Sequence, residues 1–187
     1  RIRARYRRAY SGVFYRRFVL GEWTAAQGLV YDFFDPERDA RSAPEGPFDE
    51  WRISVDYGTA NPASFGLWGR KEAVWYRVEE YYYDSRRAGH QKTDAEYVED
   101  LTALCAIIVD PSAASFIEAL RRRGFPVVKA NNDVSDGIRV TADLLRQGTL
   151  VLCRPCGDCL REMALYCWEE RGDRDAPKKE HDHAMDD

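Results

Sequence analysis

Residues 52–58 read Arg-Ile-Ser-Val-Asp-Tyr-Gly, a short apolar run that stops on a carboxylate and is followed closely by a glycine. Ile53 and Val55 alternate with polar neighbours, which predicts a strand with one buried face, and Gly58 lets the backbone pass close to a ligand. The same idea recurs at Ala106-Ile-Ile-Val-Asp110-Pro111, a continuous apolar run of the kind expected in a strand covered on both faces. The chain then closes on His181-Asp-His-Ala-Met-Asp186-Asp187, dense in oxygen and imidazole donors. Two aspartates at strand ends and a third on a terminal segment are what a fold needs to hold divalent metal ions.

The intervening sequence says how these stretches meet. Asn61-Pro62 makes a turn, Ala63–Trp68 reads as a second strand, Gly69-Arg70-Lys71 as a tight turn, and Ala73–Tyr83 as a long aromatic and β-branched third strand. Three strands with short turns form an antiparallel meander. Ser85–Lys92 is a polar loop, and Thr93 with Glu96 three residues on forms a capping box for a helix running to about Leu104. After the Ala106–Val109 strand, Pro111-Ser112 starts a helix that puts Phe116, Ile117 and Leu120 on one face and closes at Gly124. Pro126–Val128 is a short strand, Asp136–Leu145 a helix ended by Gly148, and Thr149–Leu152 another strand. Asp158–Trp168 follows as a helix with Leu160, Met163, Ala164 and Cys167 on one side, and helix resumes at His181 after a charged stretch over 169–180. Strands first, then strands alternating with helices, predict an α/β fold: a mixed sheet of three antiparallel strands followed by parallel ones, flanked by helices. In such a sheet the first strand can lie beside the fourth, bringing Asp56 and Asp110 to neighbouring strand ends, where open α/β sheets place their sites.

At 187 residues the chain is long enough for one domain with a sizeable core, and 44% hydrophobic content with 13% aromatics excludes wholesale disorder. The division expected is a basic, aromatic lead-in and proline-rich loop over residues 1–50, then one domain over 51–187. No run of about 18 apolar residues is present, so no membrane span is expected. The sequence does not start with Met and stops abruptly on two aspartates, as if cut from something longer. The net charge of −4 hides a polarity: residues 1–21 carry seven arginines and no acid, whereas residues 168–187 carry eight acids against four bases. A nuclease needs such a division between approach surface and metal pocket, although two solvated charged ends would look the same. Five cysteines without a secretory leader imply reduced thiols. Cys153, Cys156 and Cys159 lack the two separated Cys-x2-Cys pairs of a zinc site, so packed thiols around a helix start are expected.

Hard oxygen donors with few imidazoles suit Mg²⁺ or Mn²⁺, and two such ions suit phosphodiester hydrolysis. A terminal helix adds His183 and Asp186 on a shared face. Each residue alone has a blander reading: Asp110 before Pro111 as a helix cap, His183 as a solvent-facing helical residue, Asp133 and Asp136 as loop builders and caps for the next helix. Lys92, Lys129 and Arg139 are candidate phosphate contacts, as many surface cations are. No phosphate-cradling Gly-x4-Gly-Lys-Ser/Thr, dinucleotide-binding Gly-x-Gly-x-x-Gly or nucleophile-elbow Gly-x-Ser-x-Gly occurs, so ATP hydrolysis is not expected of these residues.

Arg16-Arg-Phe-Val-Leu-Gly-Glu-Trp23, Gly28-Leu-Val-Tyr31, Val55-Asp-Tyr-Gly58, Lys92-Thr93-Asp94, Val109-Asp-Pro-Ser112 and Asp182-His-Ala-Met-Asp186, in this order, resemble the C-terminal nuclease domain of the large subunit of tailed-bacteriophage terminases. The resemblance covers nearly the whole chain and rests on the joint pattern. It implies an RNase H-like fold and endonucleolytic cutting of concatemeric viral DNA during genome packaging. It implies Asp56, Asp110 and Asp186 as ligands of two Mg²⁺ or Mn²⁺ ions, with His183 as a supporting site residue. It further implies a packaging ATPase preceding this region, double-stranded DNA, portal protein and small terminase subunit as partners, and the host cell cytoplasm as the place of action. The competing readings are another RNase H-like nuclease, such as a junction resolvase, which the Gly21-Glu-Trp23 segment disfavours, and a non-catalytic module docking DNA or the portal.

Overall fold

The computed structural model describes residues 15–16, 19–21, 28–101, 105–169 and 176–187. The arginine-rich start, most of the Gly21-Glu-Trp23 segment, the end of the helix expected to reach Leu104 and part of the charged 169–180 stretch lie outside the described residues.

Six strands form one sheet: β1 (Glu50–Asp56), β2 (Ala63–Lys71), β3 (Val74–Tyr83), β4 (Ala106–Val109), β5 (Val127–Lys129) and β6 (Leu150–Leu152), in the order β5-β4-β1-β2-β3-β6. β1, β2 and β3 are the expected antiparallel meander, whereas β4 pairs parallel with β1, β5 with β4 and β6 with β3. Helices among the described residues are α1 (Pro36–Asp39), α2 (Ser85–Ala88), α3 (Asp94–Asp100), α4 (Ala114–Arg122), α5 (Val134–Gln147), α6 (Gly157–Leu165) and α7 (His183–Asp186).

Strand alternation divides the interior in two. On one face Ile53, Val55, Phe65, Ile107 and Val109 meet Tyr97 of α3 and Phe116, Ile117 and Leu120 of α4, all buried. The capping box that starts α3 is present, with Thr93 and Glu96 bonding each other's backbone. On the other face Leu152 packs with Ile138 and Ala142 of α5, Cys159 and Met163 of α6, Ala184 of α7, and Tyr31 and Trp168 from outside the regular elements.

Several local readings are corrected. The tight turn expected at Gly69-Arg70-Lys71 lies at Glu72-Ala73, which take φ of 50° and 65°, while residues 69–71 continue β2. Positive φ at both central residues is the backbone of a two-residue hairpin. Gly69 belongs to the strand because the Phe48 ring lies against it: a Cβ there would stand 2.5 Å from the ring. The polar loop over 85–92 begins with α2, capped by Asp84, and the proline-rich loop contains α1, capped by Asp35. The helix expected over Asp158–Trp168 stops at Leu165 and buries Cys159, Glu162 and Met163 rather than Leu160, Ala164 and Cys167; Cys167 and Trp168 form isolated bridges to Leu29 and Pro177. β4 is fully covered on one face only, since Ile108 lines a cleft.

Candidate metal centre

The parallel pairing of β1 with β4 places Val55 beside Val109. Asp56 and Asp110 therefore follow at the carboxyl ends of adjacent parallel strands. On the other side of the same cleft, of about 540 Å³, stand Asp186 of α7 and its neighbour Asp187. Asn132 and Asp133, from the segment leading into α5, line the cleft between them. The sheet topology thus brings together Asp56, Asp110 and Asp186, which are 130 residues apart from first to last in sequence.

Each carboxylate has its own surroundings. Asp56 accepts from His183 Nδ1 at 3.0 Å; burial pushes its pKa up while that bond and the imidazole charge pull it down. The same hydrogen bond raises His183, against the effect of its partial burial. The two shifts have different leading causes, burial at Asp56 and the direct bond at His183, and the bond opposes burial at both groups. Asp110 accepts from the Ser112 backbone N–H at 2.6 Å and Asn132 Nδ2 at 2.7 Å. Ser112 and Asn132 hold it below the usual carboxylate range, with burial opposing. It does not cap the following helix, whose N-cap position is Ala113 and carries no side-chain cap bond. Asp186 accepts from Lys179 Nζ at 2.8 Å.

The donors are those that suit a hard divalent cation, oxygen-rich and converging on one cleft. They are not drawn into a single coordination sphere: among the described residues no three His, Cys, Asp or Glu side chains are grouped closely enough to hold an ion. Asp56 and Asp186 are each engaged instead by a cationic partner of the protein's own.

Other expected residues lie elsewhere. Asp133 caps α5 by accepting from the Asp136 N–H, and Asp136 pairs with Arg139. Arg139 also pairs with Asp143. Lys92 bonds Asp100 at 2.5 Å and the Tyr81 hydroxyl at 2.8 Å, over the aromatic rings of the core on the opposite face of the sheet from Asp56. Lys129 is exposed at the end of β5. Cys153, Cys156 and Cys159 are buried around the start of α6, and Cys156 donates to the Arg77 carbonyl.

Two groups escaped the sequence reading. Arg86, Arg87, Arg161 and Lys179 line a second cleft of about 770 Å³ that shares Asp56, Lys179 and Asp186 with the first. Arg77 and Asp187 form a buried pair beneath α7. The adjacent Arg86-Arg87 was a visible signal for the first group; nothing local marks Arg77 as an interior residue.

The sheet of three antiparallel strands extended by parallel ones, flanked by helices and carrying acids at the ends of β1 and β4, is RNase H-like. The particular relatives are large terminases. The chain is 44% identical to the large terminase of a thermophilic bacteriophage solved in complex with ADP, superposing with a TM-score of 0.92 over 99% of this chain and 49% of that one. The P22 large terminase nuclease domain matches 87% of this chain and 90% of its own length with a TM-score of 0.66 at 16% identity. The large terminase nuclease of thermophilic phage G20c, solved with bound magnesium, matches 84% of this chain and 92% of its own length with a TM-score of 0.63 at 14% identity. No family model and no curated protein matches the chain. The chain is therefore similar to large terminases and has the fold of their nuclease domains, and it spans about half the length of the ADP-bound relative.

Proposed function

We propose that this domain is a Mg²⁺- or Mn²⁺-dependent endodeoxyribonuclease that cuts concatemeric phage DNA during packaging. The observation that carries the reading is the convergence of Asp56, Asp110 and Asp186 on one cleft in a chain so similar to a large terminase. The magnesium and cobalt bound by the G20c nuclease support the choice of ion. Asp56, Asp110 and Asp186 would hold two divalent ions, with the Lys179 contact released from Asp186. Bound there, the ions supply charge stabilisation at the scissile phosphate and acidify an attacking water.

The chain's own residues do the rest. His183 fixes the Asp56 carboxylate through its 3.0 Å bond to one oxygen. Ser112 and Asn132 keep Asp110 ionised. Arg86, Arg87 and Arg161 provide a cationic wall against which the phosphates of double-stranded DNA can lie, beside the carboxylates rather than over them. We assign phosphate contact to these residues and to Lys179, which line the cleft that adjoins the carboxylates, ahead of Lys92 and Arg139, which line neither cleft. The packaging ATPase, portal protein and small subunit belong to the same reading; the ADP in the large-terminase complex would then be bound by residues other than these. Host cytoplasm is the corresponding location, and no described helix is long and apolar enough to cross a membrane.

The test is nicking of supercoiled plasmid with Mn²⁺, Mg²⁺ or EDTA. Metal-dependent nicking is expected for the chain and is lost by at least about 100-fold in Asp56→Ala and Asp110→Ala, as befits removal of a group that positions the metal. Well-folded protein that neither nicks DNA nor binds Mn²⁺ would leave the non-catalytic docking module, a reading consistent with carboxylates not yet gathered around one point.

A further inference from the structure

We propose that Arg77 is a positioning residue for the carboxylate cleft: through Asp187 it clamps α7 onto the sheet and so aims Asp186 and His183 at Asp56. The geometry stands without the nuclease reading; its consequence for metal and DNA rests on that reading.

Helix α7 is four residues long, and its N-cap Asp182 makes no side-chain cap bond. Its placement on the sheet is fixed by two buried tethers. One is Glu162, fully buried, whose two oxygens accept from the Ala184 N–H at 2.7 Å and the Tyr82 hydroxyl at 2.6 Å. The other is Asp187. Its side chain, 0% exposed, receives the Arg77 guanidinium through both terminal nitrogens. It also accepts from Ser54 Oγ at 3.1 Å and Ser64 Oγ at 2.5 Å. β1, β2 and β3 therefore all contribute donors to one carboxylate. With Asp187 seated in the sheet, the preceding Asp186 lines the cleft, while His183 reaches Asp56.

The sheet is shaped for this arginine. Between Leu67 and Trp68 the β2–β3 register shifts, so that Arg77 instead of Val78 stands opposite Trp68. Such a bulge re-aims the side chains that follow it. Gly66 supplies the space, since a Cβ there would lie 2.8 Å from the guanidinium. The indole of Trp68 lies 5.6 Å below it. Burial works against the guanidinium charge, and Asp187 outweighs it. A buried ion pair is a poor source of stability compared with apolar packing, and Arg77 even leaves its Nε without a partner. What the pair does provide is one fixed orientation, through the forked donor geometry that lysine lacks.

The test compares Asp187→Asn, Ser64→Ala and Arg77→Lys with Leu120→Ala, a control in the core on the opposite face. Deuterium uptake is read by peptide, together with Mn²⁺ affinity by calorimetry and plasmid nicking. Expected is faster uptake over residues 182–187 in Asp187→Asn and Ser64→Ala, and Mn²⁺ binding weakened on the order of 10-fold in Asp187→Asn, as for loss of a partner that orients metal ligands. Leu120→Ala should lower the melting temperature without either effect. Should Arg77→Lys fail to fold, the two milder variants decide. Unchanged uptake in Asp187→Asn, or equal uptake in Leu120→Ala, overturns the proposal. Faster uptake in a protein whose parent chain neither binds Mn²⁺ nor nicks DNA upholds the clamp and removes the nuclease reading. Unchanged Mn²⁺ affinity and nicking in Asp187→Asn, with an active parent, leaves the nuclease and removes the positioning role.

Discussion

Asp56 and Asp110 are neighbours at the ends of paired strands, yet their charges are handled in opposite ways. Burial pushes Asp56 up and leaves His183 as its counter-charge, whereas Ser112 and Asn132 hold Asp110 down. The signs give distinct pH windows in metal-free protein. His183, with a raised folded pKa, contributes stability that is fully present below its unfolded value, about 6.5, and is lost as pH rises through the raised value. Asp110, depressed, contributes stability present above the ordinary carboxylate range and lost as pH falls through its lowered value. An NMR titration of His183 should therefore show a midpoint above that of an exposed histidine, returning toward it in Asp56→Asn; an unmoved midpoint would show that Asp56 is not the partner. The position of both aspartates at neighbouring strand ends was legible because a carboxylate ending an apolar run is a local pattern. Their unequal environments were not, since Asn132 and His183 arrive from distant segments. Lys92 shows the converse. Its charge was legible and its partners were not, and Lys92→Met should cost about 0.5–1 kcal/mol of stability at neutral pH, allowing for solvent around Asp100, with DNA affinity unchanged. Burial alone would raise Asp100; the Lys92 and Tyr81 bonds outweigh it, so the cost should fade as pH falls through the lowered Asp100 value.

At the scale of elements, periodicity located each strand and most helices, and the errors fall where one tertiary contact overrode a local rule. Gly69 looks like a turn residue by itself, but the Phe48 ring requires a glycine within β2. The actual hairpin turn is made by Glu72 and Ala73 in a left-handed conformation that neither prefers. Chemical denaturation reads the contrast. Gly69→Ala should destabilise by about 1–3 kcal/mol through overpacking, whereas Glu72→Asn with Ala73→Gly should stabilise by about 1 kcal/mol, because the residues then suit the turn. A neutral Gly69→Ala would mean that Phe48 can move aside. The helix over 157–165 was read two to three residues too long because Tyr166, Cys167 and Trp168 continue its apolar composition. Cys167 and Trp168 instead pair with Leu29 and Pro177, which composition cannot signal.

For the molecule as a whole, the polarity of charge was visible in the sequence, but its spatial arrangement was not. The acidic end of the chain supplies one wall of the carboxylate cleft, and a cationic wall beside it is drawn from α2, α6 and Lys179. If DNA phosphates lie there, Arg86→Glu with Arg87→Glu should weaken binding to all sequences alike and flatten the salt dependence of log Kobs by roughly one unit per lost contact. Fluorescence anisotropy over a salt series measures this, and an unchanged slope would send the DNA elsewhere. The sequence by itself determined the order of the strands and the longer helices, allowed the fourth strand to lie beside the first, and marked the aspartates at their ends. Those features follow from hydrophobic alternation and connection length, which act between near neighbours in the chain. Only the tertiary structure decided that Arg77 is an interior residue, that Asp187 rather than Asp186 faces the sheet and that Lys179 meets the site. Each depends on which side chains a β-bulge, a glycine-lined space and a four-residue helix bring face to face, and no spacing along the chain encodes that.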